Sequence, residues 1–174
     1  THGAVITHPH PLYGGDMDNP VVIAVQRAYR RQGISTLRFN FRGVGASEGC
    51  YDNGAGERRD VNAALSFLSG RGVTTLDLAG YSFGAWVNAG TGGCFKRMIM
   101  VSPPVAFMSF DPTTPIPALQ LIVTGGRDEI APPRMVSDYR DQWNRTAALE
   151  VFPDADHFYA GHFKALEDTI AARV

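Results

Sequence analysis

A serine between two glycines, directly after an apolar strand, constrains this chain more than any other feature. The run Leu76-Asp77-Leu78-Ala79 predicts a buried strand, and Gly80-Tyr81-Ser82-Phe83-Gly84 follows at once. A serine at the tip of such a strand-to-helix turn has a strained backbone, and side chains two residues before and after it would collide. Glycines at 80 and 84 remove that collision. The motif therefore predicts an exposed Ser82 hydroxyl with the Phe83 amide directed toward the same point.

Strands and helices alternate along the rest of the chain. Apolar or β-rich runs predict strands at 3–7, 34–41, 75–79, 97–102, 118–124 and 148–152. Helical patterns cover about 20–32, 56–69, 132–143 and a last stretch from about 159, and a small-residue helical segment follows Gly84. Most of the strands are continuous apolar runs, which is typical of a parallel sheet covered on both faces. The prediction is an α/β fold, a three-layer α/β/α sandwich around a mostly parallel, doubly wound sheet.

The length of 174 residues is that of one domain. We therefore expect a single domain over residues 1–174. Because the sequence begins almost inside its first predicted strand, we also expect that it lacks N-terminal strands of the domain.

Composition excludes several classes of partner. The formal net charge is −1 with 19% charged residues, which gives no basic surface for nucleic acid. No run approaches the roughly 20 apolar residues of a membrane span. Cys50 and Cys94 match no CxxC or metal-ligand pattern. We expect a cytoplasmic protein with no cofactor, no nucleic-acid partner and no membrane partner. Composition leaves open whether the chain forms a homo-oligomer.

Polar residues at the strand ends follow an informative order. In doubly wound sheets, ligands bind outside the carboxyl ends of the strands. Ser82 follows the third predicted strand, Asp128 the fifth and His157 the sixth. This order of serine, acid and histidine is the one that strand-elbow hydrolases use. His157 would take the Ser82 proton as general base, and Asp128 would orient and stabilise His157.

Neighbouring residues offer alternatives for the acid and the base. Glu129 is the rival acid, and Asp128 also suits the N-terminus of the following helix, where the helix dipole favours a negative charge. His162 is the rival base, although it lies inside the predicted last helix. Asp154 and Asp156 flank the histidine and are interpreted as solvated loop acids.

The loop after the first strand is expected to complete an oxyanion hole with the Phe83 amide. Pro9 and Pro11 have no amide hydrogen. The His10 N–H is therefore the first choice for the second donor, and the Leu12 N–H is the second choice.

A metal site is the alternative interpretation of the same loop. His8 and His10 lie near Asp16 and Asp18, but no ligand spacing typical of a metal site supports that interpretation. The acids and Asn19 are better explained as residues that cap the following helix. We therefore predict no metal.

The chain resembles the α/β-hydrolase superfamily over nearly its whole length. The resemblance rests on four segments: His8-Pro9-His10-Pro11, Arg42-Gly43-x-Gly45-x-Ser47-x-Gly49, the Gly80-x-Ser82-x-Gly84 turn, and Asp128-x-Ile130-x-Pro132 with Ala155-Asp156-His157-Phe158. With Tyr13-Gly14-Gly15 and almost no lid, the chain looks like the small bacterial predicted hydrolases near the dienelactone-hydrolase-like branch. Dienelactone hydrolases use a cysteine where this chain has Ser82, which argues against dienelactone chemistry.

The resemblance also implies an open site. Many members of the superfamily carry a cap between the strands that correspond to the fourth and fifth here, but this chain has only 103–117 at that place. Candidate walls of the cleft are Tyr13, Tyr81, Phe107, Met108 and Phe110, and the alternative is that these side chains belong to the core. We expect hydrolysis of small carboxylic esters or thioesters through an acyl-enzyme. A serine peptidase or acyltransferase on the same three residues, or a catalytically silent scaffold, are the alternatives.

Overall fold

The computed structural model describes residues 1–111 and 113–174. The sheet has six strands: β1 (His2–Thr7), β2 (Ser35–Arg38), β3 (Thr75–Tyr81), β4 (Arg97–Val101), β5 (Leu119–Gly125) and β6 (Ala148–Phe152). Their spatial order is β2-β1-β3-β4-β5-β6, and every neighbouring pair is parallel. The predicted α/β class is confirmed.

Helices cover both faces of this sheet. The described residues form α1 (Pro20–Arg31), α2 (Ala55–Gly70), α3 (Phe83–Ala89), α4 (Pro133–Trp143) and α5 (Phe163–Ala171). Successive strand residues point to opposite faces, so Ala4 and Ile6 pack with α1 and α5 whereas Val5 packs with α2. Two apolar cores result, one on each side of the sheet, and the predicted three-layer architecture is confirmed. None of these helices has the length and apolar character that a membrane crossing requires.

The strand order places the loops of the candidate site together. The chain passes from β1 outward to β2 and then returns to form β3 on the other side of β1. The loops that leave β1 and β3 therefore diverge from neighbouring strands at the carboxyl edge, which is where doubly wound sheets bind ligands. This topology brings the loop after Thr7 beside the turn that contains Ser82.

Two elements are shorter than the sequence predicted. β2 ends at Arg38 instead of residue 41, because it pairs with β1 only as far as Arg38 and the Phe41 amide then donates to His8 Nε2 at 3.0 Å. α5 begins at Phe163 instead of about 159. Tyr159 and Gly161 have φ of 57° and 79°, which a right-handed helix does not allow.

The segment 103–117, predicted as a loop or one short helix, contains no helix in its described residues. Position 112 of this segment lies outside the described residues. No cap domain is present in the described part of the chain.

Candidate active site

Ser82 occupies a strained position between β3 and α3. Its φ of 53° and ψ of −118° belong to a region that costs a residue with a Cβ on the order of 1–3 kcal/mol. The sheet holds this conformation, because Gly80 and Tyr81 still pair with β4 and the Ser82 N–H donates to the Val101 carbonyl at 2.9 Å. The turn therefore presents the Ser82 hydroxyl at the carboxyl edge of the sheet.

Gly80 and Gly84 leave the space that the turn around Ser82 requires. A Cβ on Gly80 would lie 2.6 Å from the Gly84 carbonyl carbon and 2.5 Å from Asn88 Nδ2. A Cβ on Gly84 would lie 2.7 Å from the Thr7 carbonyl oxygen and 2.5 Å from Thr7 Oγ1. Both distances to backbone are too short for any side chain, so the predicted collision is confirmed.

His157 bridges Ser82 and Asp128. His157 Nε2 lies 2.9 Å from Ser82 Oγ, and His157 Nδ1 lies 2.9 Å from Asp128 Oδ2 and 3.0 Å from Oδ1. All three residues are buried, with 8%, 6% and 3% of Ser82, His157 and Asp128 exposed, so Ser82 is less exposed than the turn motif predicted. Because a carboxylate only accepts, Nδ1 carries a hydrogen, and Nε2 of the neutral ring is left to accept the Ser82 hydroxyl hydrogen. The arrangement can withdraw a proton from Ser82.

The rival acids lie elsewhere. Glu129 is exposed, and Asp154 forms an exposed ion pair with Arg127 at 2.7 Å. Asp156 accepts a hydrogen bond from the amide two residues later in its own loop. Of these four acids, the structure brings only Asp128 to His157, and the interpretation of Asp154 and Asp156 as loop acids agrees with their positions.

The loops that carry the acid and the histidine are joined through their backbones. The Gly126 N–H donates to the Phe152 carbonyl at 2.7 Å, and the Arg127 N–H donates to the Ala155 carbonyl at 2.9 Å. A Cβ on Gly125 would lie 2.3 Å from the Ala155 oxygen, so this close approach requires glycine. These contacts hold the two loops against each other and so help to set the distance between Asp128 and His157.

Tyr81 contacts His157 through both its hydroxyl and its ring. Its hydroxyl donates to the His157 carbonyl at 2.9 Å, and its ring packs against the His157 ring with centroids 5.4 Å apart. His162, the rival base, instead precedes α5 and packs toward Phe152.

Hydrogen bonds keep Asp128 ionised. Burial alone would raise the pKa of Asp128, but hydrogen bonds from His157, Ser102 and the Ala131 amide outweigh burial and lower it. Asp128 Oδ1 accepts from the Ile130 and Ala131 amides at 2.9 and 2.7 Å. The carboxylate therefore stays charged beside His157.

No protein-family model matches this chain. An uncharacterized protein of Rickettsia prowazekii is 34% identical, over 90% of this chain and 71% of its own length. Among solved structures, an α/β serine hydrolase homologue from Coxiella burnetii is 36% identical with a TM-score of 0.93, over 99% of this chain and 85% of that chain. A Xanthomonas campestris protein described as an α/β serine hydrolase without a lid is 34% identical with a TM-score of 0.90, over 98% and 79%. This chain belongs to the α/β-hydrolase superfamily.

Two residues for which the sequence patterns gave no indication, Ser102 and Tyr159, complete the site of this α/β hydrolase. Ser102 is fully buried and its Oγ donates to Asp128 Oδ2 at 2.7 Å. The Tyr159 hydroxyl lies 2.8 Å from Ser102 Oγ. Since Ser102 has a single hydrogen and directs it to Asp128, Tyr159 is the donor in the second bond. Burial raises the pKa of Tyr159, which keeps this phenol protonated.

The loop after β1 presents amide donors near the turn. The Leu12 N–H donates to His10 Nδ1 at 3.2 Å, so the second-choice oxyanion donor is already engaged. The His10 and Phe83 amides have no acceptor among the described residues. The His10 and Phe83 rings pack with centroids 4.7 Å apart, so the loop after β1 contacts the first residue of α3.

His8 holds the loop after β1 in place through both of its ring nitrogens. Its Nδ1 lies 2.7 Å from the Pro9 carbonyl, and its Nε2 accepts from the Phe41 amide. Burial lowers the pKa of His8 and outweighs the Pro9 hydrogen bond and the Asp16 charge, which raise it. Asp18 pairs with Arg38 at 3.0 Å. Across residues 1–111 and 113–174, no group of three potential ligands converges.

The predicted cleft walls fall into two groups. Tyr81 and Phe110 are buried; Phe110 packs against Trp143 with centroids 5.0 Å apart, and Met108 is half-buried against the same core. For these three the alternative interpretation, core side chains under a loop, fits the structure. Tyr13 and Phe107 are 87% and 75% exposed and stay candidates for contact with a substrate.

Proposed function

We propose that this α/β hydrolase is a serine hydrolase that cleaves small carboxylic esters or thioesters. The observation that carries the proposal is the 2.9 Å distance between Ser82 Oγ and His157 Nε2, with the Asp128 carboxylate on the far side of the ring. A serine activated by a histidine and a buried acid is the arrangement that acyl-transfer enzymes on unrelated folds share. The solved relatives above 30% identity are described as serine hydrolases, which supports the same class.

The first half of the reaction forms an acyl-enzyme. Ser82 Oγ attacks the carbonyl carbon of the ester while its proton passes to His157 Nε2, and the new imidazolium is stabilised by Asp128. The carbonyl oxygen becomes an oxyanion, for which the Phe83 and His10 amides are the proposed donors. When the tetrahedral intermediate collapses, the bond to the alcohol or thiol breaks and His157 returns the proton to that leaving group.

The second half regenerates the enzyme. A water molecule gives a proton to His157 and attacks the acyl carbon, through a second oxyanion on the same donors. The bond to Ser82 Oγ then breaks, the proton returns from His157 to Ser82, and the carboxylic acid leaves. Atoms and charge balance over the two halves, and no group other than this chain and water is required.

The proposal of small substrates rests on the open edge of the sheet. The described residues between β4 and β5 form no cap, and exposed apolar side chains stand on the loops that follow β1, β4 and β6. These are Leu12, Tyr13, Phe107 and Phe158. Scattered exposed apolar groups can contact a short acyl or alcohol group, but they cannot enclose a long one.

The experiment combines a covalent probe with a series of substrates. A fluorophosphonate probe should label the wild-type protein, and p-nitrophenyl esters should be hydrolysed best with short acyl chains. Ser82→Ala should abolish both signals. Ser66→Ala is the matched control, because Ser66 lies on the exposed face of α2, and it should behave as wild type.

Absence of labelling in a folded wild-type protein would identify a catalytically silent scaffold. Hydrolysis that persists in Ser82→Ala would show that another group attacks. Labelling without turnover of any ester or thioester would favour the peptidase or acyltransferase alternative over the proposal.

A further inference from the structure

A cavity of about 610 Å³ lies at the end of α3 that is remote from Ser82. It is bounded by the glycine-rich segment that follows α3, by part of the segment between β4 and β5, and by Trp143 at the end of α4. Ser82, Asp128 and His157 do not line it. Its volume falls in the range of about 300–1,000 Å³ that small-molecule sites occupy.

Four aromatic side chains contribute to the apolar walls of the cavity. Trp86 from α3 and Trp143 from α4 both line it, together with Phe95 and Phe110. These are the two tryptophans of the chain, so a ligand in the cavity would alter all of its tryptophan fluorescence. Flat aromatic walls bind a flat apolar group through burial and ring packing.

Arg58 brings a positive charge to this cavity. The guanidinium carbon lies 5.3 Å from the centre of the Trp86 ring, and Arg58 lines the cavity. Its Nε is buried and has no hydrogen-bond partner among the described residues. No carboxylate of residues 1–111 or 113–174 forms an ion pair with the Arg58 guanidinium. Because this Nε is closed off in the structure, an anionic ligand in the cavity would pair with the guanidinium group as a charge.

Gly90 shows that the chain makes room for this arginine. A Cβ on Gly90 would lie 2.5 Å from Arg58 Nε and 2.7 Å from its guanidinium carbon. The φ of Gly90 is −95°, which any residue adopts, so the backbone does not require glycine here. The space above Gly90 is needed for the guanidinium.

One acid, Asp111, also lines the cavity. Its carboxylate accepts hydrogen bonds from the Thr113 amide and from the Thr113 and Thr114 hydroxyls. Asp111 is thereby committed to its own turn, and Arg58 stays the charged group that a ligand can engage.

We propose that this cavity is a second binding site, which takes a small carboxylate with a flat apolar body. The carboxylate pairs with Arg58, and the apolar body lies against the Trp86 side chain and the apolar residues that line the cavity with it. The ligand contacts none of the residues proposed for hydrolysis, so the proposal does not depend on the proposed function.

The test uses three probes of one shape and different charge: 4-phenylbutyrate, its neutral amide and 4-phenylbutylamine. Each is titrated into the full chain and followed by tryptophan fluorescence and by isothermal titration calorimetry. The carboxylate should bind about tenfold or more tighter than the amide, as expected for a hydrogen bond to a charged group, and the amine should bind weakest. Ser82→Ala should bind the carboxylate as wild type does.

Variants locate the site. Arg58→Gln should remove the preference for the carboxylate over the amide. Gly90→Ala should weaken binding of the carboxylate, because the new methyl group would displace the Arg58 guanidinium. The nearest atoms to this methyl group belong to a flexible side chain, so the fold should tolerate the change. Arg71→Gln is the matched control, since Arg71 follows the same helix and stacks on the exposed Phe67 ring; it should bind as wild type. Equal affinity for carboxylate and amide, unchanged binding in Arg58→Gln, or loss of binding in Ser82→Ala would each overturn the proposal.

Discussion

At the scale of single residues, the candidate active site is a row of five side chains in which each hydrogen has one acceptor. Tyr159 donates to Ser102, Ser102 donates to Asp128, and His157 Nδ1 donates to the same carboxylate. The neutral His157 ring then has Nε2 free for the Ser82 hydroxyl. Such a fully satisfied row admits one orientation of His157, the one that can accept the Ser82 proton.

Ser102→Ala tests this row. Asp128 would lose one donor, and His157 would be held less firmly, so kcat should fall about tenfold while KM stays unchanged. The Tyr159 hydroxyl would also be left buried without a partner, at a cost of about 1–3 kcal/mol in the free energy of unfolding. Steady-state kinetics on the best p-nitrophenyl ester and urea unfolding measure the two effects.

Tyr159→Phe separates positioning from packing. It removes the outer hydroxyl but leaves the Ser102 bond to Asp128, so kcat should stay within about twofold of wild type while the free energy of unfolding falls, since an ordinary net hydrogen bond contributes about 1 kcal/mol. A Ser102→Ala protein with wild-type kcat would contradict the positioning role, and so would one in which KM rises while kcat is unchanged.

The sequence could predict part of this row and not the rest. Ser82, Asp128 and His157 each follow a strand, so the rule that ligands bind at strand ends selects them. Ser102 follows β4, which ends at Val101, but the strand predicted from sequence extended to residue 102, so the same rule did not select it. Tyr159 has no comparable signal, because its position depends on a left-handed turn with φ of 57° and on contact with a residue far away in the chain.

At the scale of elements, the first turn of α3 lies against the end of β1. Gly84 faces the Thr7 backbone and hydroxyl, where a Cβ would approach to 2.5–2.7 Å. The amide of Phe83, one residue earlier, is a proposed oxyanion donor. The distance between this helix and β1 therefore also sets where that donor points.

Gly84→Ala should push α3 away from β1. We expect a loss of about 1–3 kcal/mol in the free energy of unfolding, which is typical of overpacking, and a fall in kcat of about 100-fold or more from a displaced oxyanion donor. Gly70→Ala is the control, because a Cβ there meets no atom within 4 Å; it should leave kcat unchanged and raise the free energy of unfolding slightly, by about 0.4–1 kcal/mol, as alanine replaces a helical glycine. Fluorophosphonate labelling rates and urea unfolding provide the measurements, and near wild-type labelling of Gly84→Ala would exclude this coupling of helix position to the donor.

Element boundaries show where local sequence patterns stop being informative. The strand pattern continues through Phe41, but β2 ends at Arg38 because the chain leaves the sheet to meet His8. The apolar pattern of Phe110 suits a cleft wall and a core equally well. Only the packing of α4 against it, a contact between distant parts of the chain, decides for the core.

At the scale of the whole molecule, a buried histidine links stability to pH. His8 is fully buried and joins the loop after β1 to the loop after β2 through its neutral ring. Burial lowers its pKa in the folded state, whereas an unfolded chain has the ordinary value of about 6.5. Below that pH the unfolded chain binds a proton that the folded protein does not, so the folded state loses stability as the pH falls.

We therefore expect the free energy of unfolding to be highest above about pH 6.5 and to decline below it, with a slope from His8 that approaches about 1.4 kcal/mol per pH unit. His10, whose pKa is also lowered by burial, adds to this decline, and the lowered pKa of Asp128 adds a further one only below its ordinary value of about 3.9. Urea unfolding followed by tryptophan fluorescence between pH 5 and 8 measures the slope.

His8→Gln keeps an acceptor for the Phe41 amide but does not titrate, so its slope should be shallower than that of wild type. Ile6→Val, a buried and non-titrating neighbour, should lower stability equally at each pH and keep the wild-type slope; a His8→Gln slope equal to that of Ile6→Val would show that His8 is not the group that links stability to pH.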